Sequence, residues 1–316
     1  MCISLIHKNN LLNNKIEDMN IKCVLFIVIF GVVLFSLFIK EKLLGRRKKS
    51  RLEMKKYSLT FGGDEKSRIE MKKYNVIFGG TIRNVEKYIK NGLSDIDLCG
   101  QKFKDYALIL YENDSSDNTR SILEDLKKDN YYYIFEDNVK EKLRTKRLEN
   151  GRNKVLDKMR EINQNEYYDY FIILDMDDVN SSGIFVDSIE TCFEHENWDV
   201  LTANQTGKYY DLWALRKKHD MEYDCWEKVS QNRNNPFAKR IYVDSKYKNY
   251  PQTTELLEVD SAFGGAAIYK IQSIPEHCRY VGQHANGNEK CEHVEFNQCI
   301  KKNGGTIFIN TRFITS

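Results

Sequence analysis

Proline is scarce, with three residues in 316, and the eight cysteines include no Cys-x-x-Cys pair. Without such pairs a zinc site has no ligand frame, and cysteines scattered over positions 2, 23, 99, 192, 225, 278, 291 and 299 are not a dense disulfide scaffold. Cys278, Cys291 and Cys299 lie close in sequence, and a disulfide among them requires an oxidising compartment. A strong charge of one sign is also lacking. The net charge is +3 and many cations sit near the N-terminus, so the chain is not a strongly basic nucleic-acid binder. The abundance of Lys, Asn, Ile and Tyr reads as coding bias rather than low complexity. What is present is 41% hydrophobic and 12% aromatic content, enough for a full core.

Long apolar runs are few. The longest is Cys23 to Ile39, CVLFIVIFGVVLFSLFI, flanked by Lys22 and Lys40. Its length is near the minimum for a bilayer-spanning helix. No small-residue cleavage site follows, so an uncleaved anchor is expected over a signal peptide. Lys40, Lys42, Arg46, Arg47, Lys48, Lys49 and Arg51 follow the run, and this charge bias places the larger part in the cytosol. The sequons at Asn113 and Asn180 point the same way, because a glycan there would block the site argued below. A secretory lumen is the alternative.

Next, Ser50 to Gly63 recurs almost unchanged as Ser67 to Gly80. Two copies are too few for a solenoid. The expected division is a tail over 1–22, an anchor over 23–39, a linker over 40–73 and a main domain over 74–316. That domain divides into a scaffold half, 74–203, and a recognition half, 204–316.

From Tyr74 strand and helix patterns alternate: strands at Tyr74–Phe78, Tyr106–Tyr111, Tyr131–Phe135, Tyr170–Leu174 and Trp198–Thr202, with helices at Val85–Leu98, Asp117–Lys128, Arg144–Ile162 and Ile184–Phe193 between them. Such alternation predicts an α/β fold with a mostly parallel sheet covered on both faces.

The stretch Tyr170-Phe-Ile-Ile-Leu-Asp-Met-Asp-Asp178 carries the chemistry. A short apolar strand delivers Asp175 and Asp177 to the sheet edge where open α/β folds bind ligands. Two carboxylates at that spacing suit one hard divalent cation, Mn²⁺ or Mg²⁺, and the cation can carry a diphosphate. By itself such a stretch is also an ordinary Asp-rich turn. Upstream, Tyr111-Glu-Asn-Asp-Ser115 ends a strand, and Arg147 and Arg152 lie on a basic helix start.

In this order, Glu112-Asn-Asp-Ser-Ser-Asp-Asn-Thr119, Gly151-Arg-Asn153 and Leu174-Asp-Met-Asp-Asp178 resemble the motifs of GT-A glycosyltransferases. With Tyr209-Tyr-Asp-Leu-Trp-Ala-Leu-Arg216 they resemble the fungal capsule-associated (cryptococcal) mannosyltransferase-like family and its giant-virus relatives. The chain departs from the superfamily pattern at Asp114, usually glycine, and at Gly151, usually alanine.

The resemblance implies a UDP- or GDP-linked sugar held by Gly79, Gly80, Thr81, Arg83, Glu112, Asp114, Arg147, Arg152, Asn153 and Asp175. It implies metal ligands Asp175 and Asp177, with His293 as a further ligand. Glu292 is the candidate catalytic base and Asp260, before a glycine-rich turn, a second candidate acid. Tyr210 and Trp213 would pack on a glycan or protein acceptor, although their spacing also describes a core-packing helix. The rival functions are a sugar nucleotidyltransferase, of whose signature loop Gly79 to Arg83 is a faint echo, and a non-catalytic membrane-tethered glycan-binding module.

Overall fold

The computed structural model describes residues 63–316; the expected tail, the anchor over 23–39 and most of the first repeat copy lie outside the described residues. Among the described residues no helix is long and apolar enough to cross a membrane.

The order of elements is α1 (Glu65–Met71), β1 (Asn75–Ile82), α2 (Glu86–Gly100), β2 (Asp105–Asn113), α3 (Thr119–Asp125), β3 (Tyr131–Glu136), α4 (Arg144–Asn165), β4 (Tyr170–Leu174), a short α5 (Phe185–Ser188) running into a 3-10 turn, and β5 (Val200–Asn204). Then come α6 (Cys225–Gln231), α7 (Ala238–Tyr242), β6 (Leu256–Glu258), β7 (Ala266–Lys270), α8 (Glu292–Lys302) and β8 (Ile307–Ile314).

One eight-stranded sheet runs β3-β2-β1-β4-β7-β5-β8-β6. The first four strands are mutually parallel, as the alternation predicts. Beyond β4 the sheet stays mostly parallel as expected, since β5 runs the same way as β4 and β8 is parallel to β5, but two strands reverse. β7 pairs antiparallel with both β4 and β5, and β6 antiparallel with β8. The physical reason is connectivity: β7 is reached through the long 205–265 excursion, so no right-handed crossover dictates its direction.

The pleat sorts β1 between two cores. Ile77 faces α4, where Val155, Leu156 and Met159 form the buried stripe, and Val76 and Phe78 face Ile89, Leu93 and Ile96 of α2. Gly79 and Gly80 belong to these cores. A side chain at Gly79 would collide with Val155, Phe171 and Ile173, and one at Gly80 with Met176 and Leu110.

Two further differences concern boundaries. Residues 65–71, expected as linker, form α1. Its N-terminus is capped by Asp64, whose carboxylate accepts from Ser67 N at 2.7 Å, and Arg68 pairs with buried Glu190 at 2.7 Å. The helix expected over 184–193 keeps only a short α segment because it tightens into 3-10 geometry from Ile189.

Cys278 and Cys299 form a disulfide across a sequence separation of 21 residues. Closing a loop of that size contributes about 3 kcal/mol in the chain-entropy account. The loop it closes contains Tyr280, Gly282 and Glu289, all of which bind α4. Asn153 donates to Tyr280 O at 2.9 Å and accepts from Tyr280 N at 3.0 Å. Gly282 N donates to Glu149 at 2.8 Å. Glu289 accepts from Thr145 N at 3.0 Å, a carboxylate at a helix start that has no side-chain cap of its own. The loop therefore fixes the front of α4 against α8.

Candidate active site

β4 ends at Leu174, and the chain turns at once into Asp175. Two long-range contacts fix that turn: Asp175 N donates to Gly265 O at 2.9 Å, and Asn180 Nδ2 donates to both Asp175 O (2.7 Å) and Gly265 O (2.9 Å). Gly264 and Gly265 have φ of +67° and +87°, a backbone that side chains resist. Gly264 N in turn donates to Asp211 at 3.0 Å. The strand end is thus set by residues from far along the chain.

A cleft of about 300 Å³ opens over this strand end. Asp175 and Asp177 border it together with Arg83, Arg144, Arg147 and Arg152. Thr81, Tyr88 and Asn113 also line it. Asp177 is exposed, and one of its oxygens accepts from Val179 N at 3.1 Å, leaving the other free.

Arg152 lies at the bottom, 3% exposed. Its Nε donates to Glu292 at 2.8 Å and its Nη2 to Asp175 at 3.1 Å, and the guanidinium sits 5.0 Å from the Phe263 ring centre. Burial works against the Arg152 charge, but Glu292 and Asp175 outweigh it and hold the cation above its ordinary value. The Asp175 side chain is 29% exposed, and burial of the rest pushes its carboxyl up to about 7. Arg152 opposes that rise, while Asp177, Asp211 and Glu292 reinforce it. One buried cation thus stands among four acids.

Several expected site residues lie elsewhere, each for a visible reason. Gly79 and Gly80 are core residues, and only Thr81 of that turn reaches the cleft. Glu112 is fully buried, pairing with Arg120 at 2.6 Å and accepting from Ser115 N at 2.8 Å, so its neighbour Asn113 faces the cleft instead. Asp114, at φ +49°, spends its carboxylate on Asn138 N (2.7 Å) and Val139 N (3.1 Å). Asn153 braces Tyr280, not the strand end.

The recognition-half candidates divide in the same way. Asp260 pairs with Lys301 at 3.4 Å and is absent from the cleft lining. His293 is 2% exposed and stacked on Phe263 at 3.7 Å, with Tyr280 edge-on at 5.5 Å. Burial lowers its imidazole well below the usual value. Asp175, Asp177 and His293 do not come within 4.8 Å of one another as a group, so the expected three-ligand set is not assembled. Glu292 is buried in the Arg152 pair rather than open to the cleft. Trp213 donates to Asp224 at 2.9 Å and packs against the core. Tyr210 is 40% exposed, and its hydroxyl lies close to Gly265, whose carbonyl receives Asp175 N, so it stands beside the acidic turn.

Arg144, one of the basic residues at the start of α4, joins Arg147 and Arg152 at the cleft. Three other useful residues have little local signal: Asp211 stands inside the Tyr209-Tyr-Asp-Leu-Trp motif among more conspicuous aromatics. Asn180 was read only as a sequon, and Tyr88 carried no signal beyond helical spacing.

Hard carboxylate oxygens at a polar cleft floor fit a divalent cation. Asp175 and Asp177 supply them, whereas His293 does not.

Comparison with known proteins adds a family. The model described as cryptococcal mannosyltransferase 1 matches residues 83–302. No curated protein matches the chain. Among solved structures, S. aureus TarS 1-349 aligns at 13% identity and TM-score 0.39, covering 74% of this chain and 57% of that one. The mannosyltransferase PcManGT from Pyrobaculum calidifontis, in complex with GDP-Man and Mn²⁺, aligns at 10% identity and TM-score 0.41, covering 76% and 55%. Glucosyl-3-phosphoglycerate synthase from Mycobacterium tuberculosis, in complex with UDP, aligns at 11% identity and TM-score 0.39, covering 75% and 68%. The chain spans a little over half the length of the first two, and TM-scores this low carry no argument about activity.

The Arg152 cluster gives a test by double-mutant cycle. Arg152→Met leaves Glu292 buried without its partner and lowers unfolding free energy by about 3–5 kcal/mol. Adding Glu292→Gln recovers a measurable part of that loss. Strict additivity in denaturant titrations would show that the two side chains are energetically independent.

Proposed function

The chain belongs to the cryptococcal mannosyltransferase 1 family, and from that premise we propose a metal-dependent glycosyltransferase of the GT-A type. It moves a hexose, mannose being the first candidate, from a nucleotide-diphosphate sugar to a glycan or protein acceptor. The observation that carries the reading is the juxtaposition in one cleft of Asp175 and Asp177 with Arg83, Arg144 and Arg147. Arginines offer the charged forks that phosphate oxygens accept, and the two aspartates would repel a diphosphate unless a cation stands between.

Asp175 and Asp177 would hold Mn²⁺ or Mg²⁺, which when bound neutralises the charge that develops on the departing nucleoside diphosphate. Arg83, Arg144 and Arg147, which line the same cleft, bind the diphosphate. Arg152 fixes the Asp175 carboxylate, so that it meets the donor already oriented. Tyr210, beside the acidic turn, is the better-placed acceptor contact. Glu292 acts through Arg152 as a positioning residue, since its carboxylate is already committed there. The family premise and the pairing of acids with arginines favour this over a glycan-binding module. A nucleotidyltransferase loses its only hint, because Gly79 and Gly80 pack the core.

The same reading extends to the compartment. The Cys278–Cys299 bond favours an oxidising lumen over the cytosol. Asn113 and Asn180 are each only 6% exposed, so their sequons say nothing against it.

Three measurements bear on this reading. Asp175→Asn and Asp177→Asn each lower transfer at least a hundredfold in a screen of nucleotide sugars with Mn²⁺; retained turnover sinks the assignment, and no nucleotide binding in calorimetry favours the glycan-binding module. Because Asp175 loses its proton only near pH 7, Mn²⁺ affinity in the presence of GDP rises up to about tenfold per unit as pH climbs from about 5 to 7, then levels. A pH-independent affinity would take Asp175 out of the ligand set. Protein isolated with its thiols trapped yields a Cys278–Cys299 cross-linked peptide by mass spectrometry; free thiols at both positions would return the domain to the cytosol.

A further inference from the structure

A second cleft opens at the end of the strands opposite the aspartates. It measures about 460 Å³, within the range of small-ligand sites, and lies between the end of α4, the starts of β1 and β4, and the residues just after β7. Tyr74 and Tyr170, ring to ring at 5.1 Å, line it beside Tyr167, Tyr168, Ile271 and Ile274. From Tyr74 to Thr81, which lines the Asp175 cleft, the chain advances along β1 at about 3.3 Å per residue, so the two clefts stand roughly 20 Å apart.

Its polar side chains are each fixed at one atom and free at another. Asn163 Oδ1 accepts from Tyr168 N at 2.8 Å, while its Nδ2 has no partner among the described residues. Asp169 Oδ2 accepts from Asn75 N at 2.9 Å, and its Oδ1 is likewise unused. Lys270 makes no ion pair among the described residues; its Nζ donates to Glu196 O at 3.2 Å and rests 4.7 Å from the Trp198 ring centre. Two donors and an acceptor are therefore held in place with hydrogen-bonding capacity to spare. Beside them the Tyr167 side chain is 69% exposed, although its carbonyl is fixed by Asn75 Nδ2 at 2.8 Å.

This chemistry selects an occupant. The lining holds one acid and one base, Asp169 and Lys270, and an adjoining cleft that shares Tyr74, Tyr170 and Lys270 is more acidic than basic, so a phosphate or nucleic acid is disfavoured. A lipid tail would leave Asn163, Asp169 and Lys270 without partners in a dry site. An extended peptide adds to a free strand edge, and β1 and β4 each have a neighbour on both sides. A sugar offers hydroxyls that both donate and accept, together with a C–H face that packs on an aromatic ring. We propose that this cleft binds a neutral oligosaccharide, with one sugar ring on Tyr167 and its hydroxyls meeting Asn163 Nδ2, Asp169 Oδ1 and Lys270 Nζ. Being separate from the Asp175 cleft, it can hold a glycan while that cleft is occupied. The proposal concerns this cleft alone and stands whether or not the chain transfers a sugar.

The test is calorimetry of the full chain in phosphatidylcholine nanodiscs against maltotriose, mannotriose, cellotriose and triacetylchitotriose, repeated with saturating GDP and Mn²⁺. At least one trisaccharide binds, and GDP with Mn²⁺ does not displace it. Asn163→Asp keeps the acceptor for Tyr168 N but removes the free donor, and Tyr167→Ala removes the exposed ring; each weakens binding by about tenfold or more. Three results overturn the proposal: no binding of any trisaccharide, displacement by GDP and Mn²⁺, or affinity that both substitutions leave unchanged. If GDP itself does not bind, the transferase reading fails and the two variants still decide this one. Tyr167 is exposed, so its variant keeps the fold, which circular dichroism confirms.

Discussion

A buried guanidinium has to be paired, and that requirement organises the cleft end of this sheet. Arg152 is removed from water and must hold its charge, because arginine cannot discard a proton as lysine can. The structure meets the cost with two carboxylates far apart in the chain, Glu292 at 2.8 Å and Asp175 at 3.1 Å. Removing Arg152 leaves Glu292 buried without its partner, a far larger penalty than losing a surface ion pair. The start of α8, the middle of α4 and the end of β4 are therefore locked by one electrostatic condition.

The surrounding contacts make sense as support for that condition. Asn153, next to Arg152, clamps Tyr280 with two hydrogen bonds, and Glu289 closes the open start of α4. The disulfide limits how far this loop can retreat. On the other side Asp211 holds the Gly264–Gly265 turn, which receives the backbone of Asp175. Asp175 thus reaches the cleft with side chain and backbone both fixed, and Asp177 stands beside it with an oxygen to spare.

This division explains what could be read in advance. Elements whose signal is local were legible: the apolar strand Tyr170–Leu174 carries the bounds its composition implies, and α4 buries Val155, Leu156 and Met159 as their spacing predicts. Asp175 and Asp177 were legible because a strand followed by acids is itself the feature. Partners chosen across the fold were not legible. Glu112 and Asn113 are neighbours at the end of one strand, and only the position of Arg120 decides which turns inward. His293 and Glu292 had the right chemistry for ligand and base. Burial between Phe263 and Tyr280 assigned the first to the core, and Arg152 claimed the second. The antiparallel β7 had no signal, since pairing direction after a long excursion depends on tertiary packing.

Charge bias and covalent chemistry give opposite answers on the compartment, and they are not equally strong. A run of cations beside an expected anchor, such as the one after residue 39, speaks only through a statistical preference that other features of a chain can override. A disulfide between Cys278 and Cys299 depends on the redox poise the folded domain experiences, and in the cytosol glutathione and thioredoxin keep such thiols reduced. The bond closes the loop that fixes the front of α4 and, through Asn153, the residue next to Arg152, so its loss would loosen the site rather than a peripheral hairpin. A charge-pairing centre that rests on an oxidised loop is in keeping with the proposed lumenal placement.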